Sequence, residues 1–122
     1  MDFSVSYQEG REVVSGKIEG DLTKELATQY FTEVSEVAST RGCVGILTDV
    51  RNAKLVADEP DMASLSQELT SIGLRPTIKR AIVLTDDVKG YKVWENYCFR
   101  NGHLRLKLFF DRDKALDWLS EN

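Results

Sequence analysis

Three polar residues, Asp49, Arg51 and Asn52, follow a short apolar run and carry groups that could bind a ligand. The run from Val44 to Asp49 is bounded by turn-forming residues, which is typical of a buried central strand. In an open α/β sheet, ligands usually bind at the loops that leave the carboxyl ends of the strands. The sequence therefore predicts a functional edge at Asp49, Arg51 and Asn52. Structural roles, either an ion pair between Asp49 and Arg51 or caps on backbone groups, are the alternative.

A histidine and a cysteine are the other candidates for chemistry. His103, the only histidine, follows the glycine that ends a helical pattern, so we expect it to be exposed in a loop. Cys98 could act as a nucleophile beside this histidine. However, Cys98 shares an apolar helical stripe with Trp94, which favours a buried thiol. Cys43 also lies among apolar residues, and the two cysteines lack metal-ligand spacing, so we expect free buried thiols.

The sequence contains no catalytic constellation and no glycine-rich nucleotide fingerprint. We therefore expect no enzyme activity, no metal and no cofactor. An enzyme remains an alternative if one pocket brings Asp49, Arg51 and His103 together.

The composition is that of a soluble globular domain. The 122 residues fit a single domain spanning 1–122; 42% are hydrophobic and 30% are charged. The net charge of −4 argues against a nucleic-acid partner. Between Arg75 and Lys107 basic residues outnumber acidic ones, which would suit an anionic surface, although scattered solvated charges explain the excess as well. The start of the chain is not typical of a signal peptide, and no apolar run has the length of a membrane span, so we expect a cytoplasmic protein.

Apolar periodicity and turn residues predict the order ββαβαβαβα. A hairpin opens the chain, with a turn at Glu9-Gly10 and a second strand from Val13 to Ile18 that Gly20-Asp21 ends. Asp21 is the expected N-cap of a helix from Leu22 to Thr40. The later elements are a loop at 52–58, a helix from about 59 to 72, a strand at 79–85, a helix at 88–101, a strand at 104–110 and a last helix after Asp111.

Strands that alternate with helices imply parallel pairing with right-handed crossovers. The predicted fold is therefore a single α/β domain with a mixed, mostly parallel five-stranded sheet and four helices.

Several phrases along the chain resemble the SpoIIAA-like family of the STAS-type fold, which is related to CRAL-TRIO lipid-carrier domains. These phrases cover almost the whole chain: Gly20-Asp21-Leu22-Thr23, Leu47-Thr48-Asp49-Val50-Arg51, Lys79-Arg80-Ala81-Ile82-Val83, Trp94-Glu95-Asn96-Tyr97, Leu108-Phe109-Phe110-Asp111 and Ala115-Leu116-Asp117-Trp118-Leu119. The resemblance implies a binding or regulatory module. In anti-sigma factor antagonists of this class, a kinase partner phosphorylates a serine that opens the second helix.

The corresponding region of this chain departs from the phosphoserine pattern. It reads Ala57-Asp58-Glu59-Pro60-Asp61-Met62-Ala63-Ser64, without an Asp-Ser pair or a following glycine. Acidic side chains occupy the place where a phosphate would be added, which disfavours further negative charge. Ser64 is expected to be an ordinary exposed helical serine.

The third predicted helix carries more apolar side chains than one helix face can hold. Tyr91, Trp94 and Tyr97 mostly fit packing against the sheet, yet some of this surface should meet something else. With Asp49, Arg51 and Asn52, these aromatic residues are the predicted binding residues. The preferred hypothesis is a binding module for a small apolar or lipid-like ligand or a membrane surface. The alternative is a protein-interaction module of the anti-sigma factor antagonist type, and a second copy of the chain is a further candidate partner.

Overall fold

The strands form one mixed sheet in the order β1-β2-β3-β4-β5. A computed structural model describes residues 2–121. The elements are β1 (Phe3–Gln8), β2 (Val13–Leu22), α1 (Lys24–Arg41), β3 (Gly45–Leu55), α2 (Glu59–Ile72), β4 (Lys79–Val83), α3 (Val88–Arg100), β5 (Leu106–Phe109) and α4 (Arg112–Ser120). The β1–β2 pair is antiparallel and the other pairs are parallel. The predicted fold class is confirmed.

The two faces of the sheet bury cores of different size. The larger core lies under α1, α2 and α3 and includes Ile46, Ile82 and Trp94. The smaller core lies under α4 and includes Leu47, Val83 and Leu119. Because α4 packs on β3, β4 and β5, it leaves the same face of β1 and β2 to polar side chains such as Ser4 and Lys17.

One glycine allows the closest contact between the sheet and α1. The Tyr30 side chain crosses β2 at Gly16, where a Cβ atom would overlap its ring. The Tyr30 hydroxyl lies 2.7 Å from Thr48 Oγ1, so the buried ring also has a hydrogen-bond partner. Gly16 therefore leaves space for the large Tyr30 side chain of α1, which is a common role for a glycine inside a strand.

The structure corrects the predicted start of α1. β2 continues through Gly20 and Asp21 to Leu22, because a glycine with φ of 79° can remain within this strand. The N-cap is Thr23, not Asp21, and its side chain accepts a hydrogen bond from the Leu26 amide.

β3 differs most from the sequence prediction, because it runs to Leu55 instead of ending near Asp49. Beyond Asp49 it pairs only with β2, and the register shifts between Lys17 and Glu19. From one pair to the next, β2 moves on by two residues, from Lys17 to Glu19, whereas β3 moves on by three, from Asp49 to Asn52. This extra residue in β3 is a β-bulge. The extra residue reverses the alternation, so that Ala53 and Leu55 pack against the larger core. The predicted loop at 52–58 is therefore wrong for residues 52–55.

Candidate functional site

The predicted binding residues lie on opposite faces of the sheet. Asp49 lies two residues after Leu47 in β3 and therefore on the same face, which is covered by α4, whereas Tyr91 and Trp94 belong to the core under α3. His103 also lies on the α3 side, where it contacts Arg80. Asp49 and Arg51 therefore do not meet His103, and the pocket that the enzyme alternative required is not formed by these residues.

Asp49 and Arg51 form a closed ion pair. Arg51 Nε and Nη2 lie 3.0 and 2.9 Å from the two oxygens of Asp49, and the Arg51 amide also donates to Oδ1 at 3.0 Å. Burial raises the pKa of Asp49, but the hydrogen bonds and charge of Arg51 outweigh it and hold that pKa below its usual range. This geometry supports the structural alternative. Asn52 is exposed and lies within β3, not at a strand end.

A small apolar cavity lies between the sheet and the three helices that cover it. Its volume is about 50 Å³. The lining is almost entirely apolar, and it includes Leu55, Met62, Tyr91 and Trp94. A water molecule occupies about 30 Å³ in the liquid and needs several polar partners, so this cavity suits a small apolar group better than ordered water.

Tyr91, one of the residues that line the cavity, has an unusual hydroxyl group. Tyr91 is 4% exposed, and among residues 2–121 its hydroxyl is the one buried side-chain polar atom without a hydrogen-bond partner. Burial raises the pKa of this hydroxyl, and the charges of Asp87 and Asp86 raise it further. A buried hydroxyl without a partner costs stability. It therefore marks a place where a bound group could supply the missing hydrogen bond.

An aromatic stack joins this cavity to a buried arginine. The rings of Trp94 and Phe31 are stacked with centroids 6.0 Å apart, and the Arg80 guanidinium lies 5.7 Å from the Phe31 centroid. Arg80 is buried and lies 3.3 Å from His103 Nδ1 and 3.5 Å from Cys98 Sγ. The sequence analysis did not predict that Arg80 would be buried in contact with His103 and Cys98. A charged residue within an apolar strand was the signal that could have indicated it.

His103 is 2% exposed, so the predicted exposed loop histidine is wrong. Its Nε2 atom lies 3.3 Å from Thr70 Oγ1, and its Nδ1 atom faces Arg80. Burial lowers the pKa of His103, and the charge of Arg80 lowers it further. His103 directly follows Gly102, whose φ of 88° reverses the chain direction after α3, and its side chain lies in the core.

The structure between residues 2 and 121 gives the surroundings of the thiols and acids. Burial raises the pKa of Cys98, which disfavours the nucleophilic thiolate. Both cysteines are free and buried, as predicted. Across the described residues, no group of three histidine, cysteine or acidic side chains could hold a metal ion. None of the helices described at 2–121 is long and apolar enough to cross a membrane.

The end of β3 and the start of α3 form an acidic edge with apolar residues in it. We use "acidic edge" for the exposed residues Val56, Asp58, Glu59, Asp86, Asp87 and Val88. The two segments are adjacent, because a Cβ on Gly90 would lie 2.8 Å from Leu55 Cδ2. Val56 and Val88 are 48% and 38% exposed. The hydroxyl of the half-buried Tyr97 in α3 donates a hydrogen bond of 2.8 Å to the Glu59 carboxylate in α2.

The start of α2 is closed by its own carboxylates. Asp58 accepts from the Asp61 amide at 2.9 Å, and Asp61 accepts from the Asp58 amide at 3.4 Å. Ser64 lies within α2, partly buried, where it bonds Lys24 and Glu68 at 3.0 and 2.8 Å. It is thus part of an α1–α2 contact and not the exposed serine expected.

Comparison with known proteins identifies the fold. No family model matches the chain, and no curated protein does. Among solved structures, an uncharacterized DUF3478-family protein with a SpoIIAA-like fold from Shewanella loihica PV-4 has a TM-score of 0.61 at 21% identity, covering 96% of this chain and 91% of its own. The unphosphorylated anti-sigma factor antagonist SpoIIAA has a TM-score of 0.58 at 15% identity, covering 98% of this chain and 99% of its own.

A third structure, the Bacillus cell fate determinant SpoIIAA in its phosphorylated form, has a TM-score of 0.51 at 17% identity, covering 96% of this chain and 98% of its own. The mixed five-stranded sheet with four helices defines the class as an α/β domain. Within that class, the chain has the SpoIIAA-like fold, as its sequence phrases predicted. The relation to CRAL-TRIO domains stays a prediction.

Proposed function

We propose that this protein is a non-enzymatic regulatory module that binds another protein through the acidic edge. The carrying observation is the exposure of Val56 and Val88 among carboxylates. The exposed Lys54 and Lys89 lie nearby, but the four carboxylates outnumber them, which favours a partner that offers apolar side chains and basic groups. The likeness in fold to an anti-sigma factor antagonist supports a protein of the anti-sigma class as that partner.

We infer further that serine phosphorylation at the start of α2 does not control this interaction. The carboxylates of Asp58 and Asp61 already accept hydrogen bonds from the Asp61 and Asp58 amides at the start of the helix. A phosphate added beside them would face like charges instead of free donors. Intact-mass spectrometry of the protein from its host cells should therefore find it unphosphorylated. A phosphoserine in α2 would contradict this inference.

The experiment for the partner surface compares two sets of exposed apolar residues. The double variant Val56→Ser, Val88→Ser removes the apolar part of the acidic edge, and Leu104→Ser is the matched control away from it, since Leu104 is 67% exposed. We expect immobilised wild type and L104S to retain the same host protein, and the double variant to bind it about tenfold or more weakly. Equal retention by both variants would refute the proposed surface.

A small apolar ligand is the second candidate function, and the cavity with the Tyr91 hydroxyl supports it. Ordinary ligand pockets measure about 300–1,000 Å³. A lipid-like molecule would therefore have to displace α3, whereas a small apolar group would not. Tyr91 and Trp94 are already buried, so the apolar side of α3 is not available to a membrane in this conformation.

Two measurements test this candidate. Co-sedimentation with liposomes, with and without anionic lipid, tests the membrane surface, and native mass spectrometry of the protein from its host tests a retained ligand. A ligand seated in the cavity should be lost from Tyr91→Phe, which removes its hydrogen-bonding group. If the protein binds neither liposome and native mass spectrometry finds no ligand, this second function is excluded. The proposal of a protein partner is not affected by that result.

A further inference from the structure

We propose that two copies of this chain associate by pairing their β1 strands antiparallel across a two-fold axis. β1 is an edge strand, with β2 on one side only. An edge strand presents unpaired amide and carbonyl groups, which proteins usually protect with charges, proline or short length. The segment from Phe3 to Tyr7 has no charge and no proline, in a chain that is 30% charged.

The hydrogen bonds to β2 show which backbone groups are free. Phe3 lies opposite Ile18, and the Glu19 amide donates to the Asp2 carbonyl at 2.8 Å. Since antiparallel residues alternate between facing their partner and facing away, Ser4 and Ser6 also direct their backbone groups to β2. The amides and carbonyls of Phe3, Val5 and Tyr7 therefore point to the open edge.

The sequence of β1 is complementary to itself in the antiparallel direction. A two-fold axis at Val5 would place Val5 opposite Val5 of the second copy and Phe3 opposite Tyr7. All residues with free backbone groups then form hydrogen-bonded pairs. Aromatic pairs and a β-branched pair would lie on the α1 side, where such cross-strand contacts stabilise a sheet. Ser4 would face Ser6 on the other side.

The surroundings of β1 are compatible with this pairing. Two side chains of α1 contact the aromatic residues of β1. The ring centroids of Phe3 and Tyr30 are 5.7 Å apart, and the Arg41 guanidinium lies 4.4 Å from the Tyr7 ring centroid. Phe3, Val5 and Tyr7 are only half-buried in one copy. A second β1 would cover their outer sides, and the pairing would place Asp2 opposite Gln8, so no like charges meet.

The opposite edge of the sheet lacks these properties. The carbonyls of Arg105 and Phe109 accept from β4, so the free groups of β5 belong to Leu106 and Leu108. Symmetric pairing through both would place Lys107 opposite Lys107, and like charges there are destabilising. The chain therefore favours the β1 edge for self-association. This inference does not depend on the proposed partner surface.

The experiment measures association as a function of concentration. Six residues per copy give a small interface, so we expect a reversible monomer–dimer equilibrium in sedimentation velocity from low micromolar to near-millimolar concentration. Ser4→Lys, Ser6→Lys places lysines opposite each other twice and should weaken the dimer about tenfold or more. Both serines are exposed, but Ser4 lies opposite Lys17 of β2, so circular dichroism and urea denaturation are used to check that the lysine variant keeps its fold. Ser4→Thr, Ser6→Thr is the matched control and should still dimerise.

A charge exchange makes the test specific for this register. Ser4→Glu, Ser6→Glu should also be monomeric, and mixing it with the lysine variant should restore a dimer of the two variants, because each lysine then faces a glutamate. A wild type that stays monomeric throughout would overturn the proposal. So would a dimer that persists in the lysine variant, or two monomeric variants that do not associate when mixed.

Discussion

Tyr30 and Tyr91 are both buried in the larger core, but only one of them has a hydrogen-bonded hydroxyl. The Tyr30 hydroxyl lies 2.7 Å from Thr48 Oγ1, whereas the Tyr91 hydroxyl has no partner among the described residues. Removing one member of a hydrogen-bonded pair leaves the other unsatisfied, but removing an unpaired hydroxyl leaves nothing unsatisfied. The two rings therefore make a matched pair for measurement.

We expect Tyr91→Phe to raise the free energy of unfolding by about 1 kcal/mol, and Tyr30→Phe to lower it by about 1 kcal/mol. Urea denaturation of both variants measures the two changes. If Tyr91→Phe is as destabilising as Tyr30→Phe, the hydroxyl has a partner in solution, which would itself be evidence for a bound molecule in the cavity.

His103 links stability to pH. Its pKa in the folded chain lies below the ordinary value of 6.5, because burial and Arg80 disfavour its charged form. The neutral ring therefore stabilises the fold above about 6.5, and this contribution is lost as pH falls from there toward the folded pKa. Asp49, whose pKa is also lowered, loses its contribution only at more acidic pH, below its ordinary value of 3.8.

We expect the free energy of unfolding to decrease between neutral pH and about pH 5. His103→Gln, which retains a hydrogen-bond acceptor for Arg80 without a titrating ring, should show a smaller decrease. Chemical denaturation at the two pH values makes the comparison. An equal decrease in both proteins would assign the acid sensitivity to other groups.

At the scale of elements, Gly16 lets β2 and α1 approach each other at Tyr30. Gly16→Ala should lower the free energy of unfolding by about 3 kcal/mol, because the added methyl group overlaps the buried Tyr30 ring. Gly10→Ala is the control, since a Cβ there meets nothing within 4 Å. Thermal or urea unfolding measures both. Similar stability of the two variants would mean that Tyr30 can move away from β2 without cost.

Most elements could be predicted because their signals are local. α4 begins after Asp111 as predicted, with Asp111 as its N-cap, and Gly42 ends α1 in a left-handed conformation. β3 shows the limit, because the continuation through Arg51 and Asn52 depends on pairing with β2 and on a bulge. The chain there has no apolar run, so nothing local predicts a strand.

The geometry around the predicted site residues was harder to predict for a related reason. Residue types identified groups able to bind or react, but which face of the sheet each group occupies follows from tertiary packing. Asp49 paired with Arg51, and His103 became buried beside Arg80, a residue whose role only long-range contacts reveal.

For the whole molecule, the unequal cores predict unequal local stability. α4 alone covers the smaller core, and its last turn is held by Lys79, whose Nζ donates to the carbonyls of Trp118 and Glu121 at 2.9 and 2.8 Å. Elements with fewer buried contacts open at lower free energy than the global unfolding reaction. α4 should therefore be the helix that opens most readily.

We expect the amides of α4 to exchange with solvent faster than those of α1 in native-state hydrogen exchange. Lys79→Met, which keeps the apolar stem and removes the donor, should accelerate exchange in α4 and leave α1 unchanged. Acceleration of both helices by the same factor would indicate that they open as one unit.

The bulge in β3 makes the length of this strand more constrained than its composition. Arg51 and Asn52 are exposed, so many substitutions there would leave the core intact. Loss of the extra residue would restore regular pairing with β2 and keep Ala53 and Leu55 on the larger core, whereas gain of one more residue would turn both toward solvent. Around this point, relatives of the chain can vary in sequence and can lack the bulge residue, but a gained residue should fall elsewhere in an alignment.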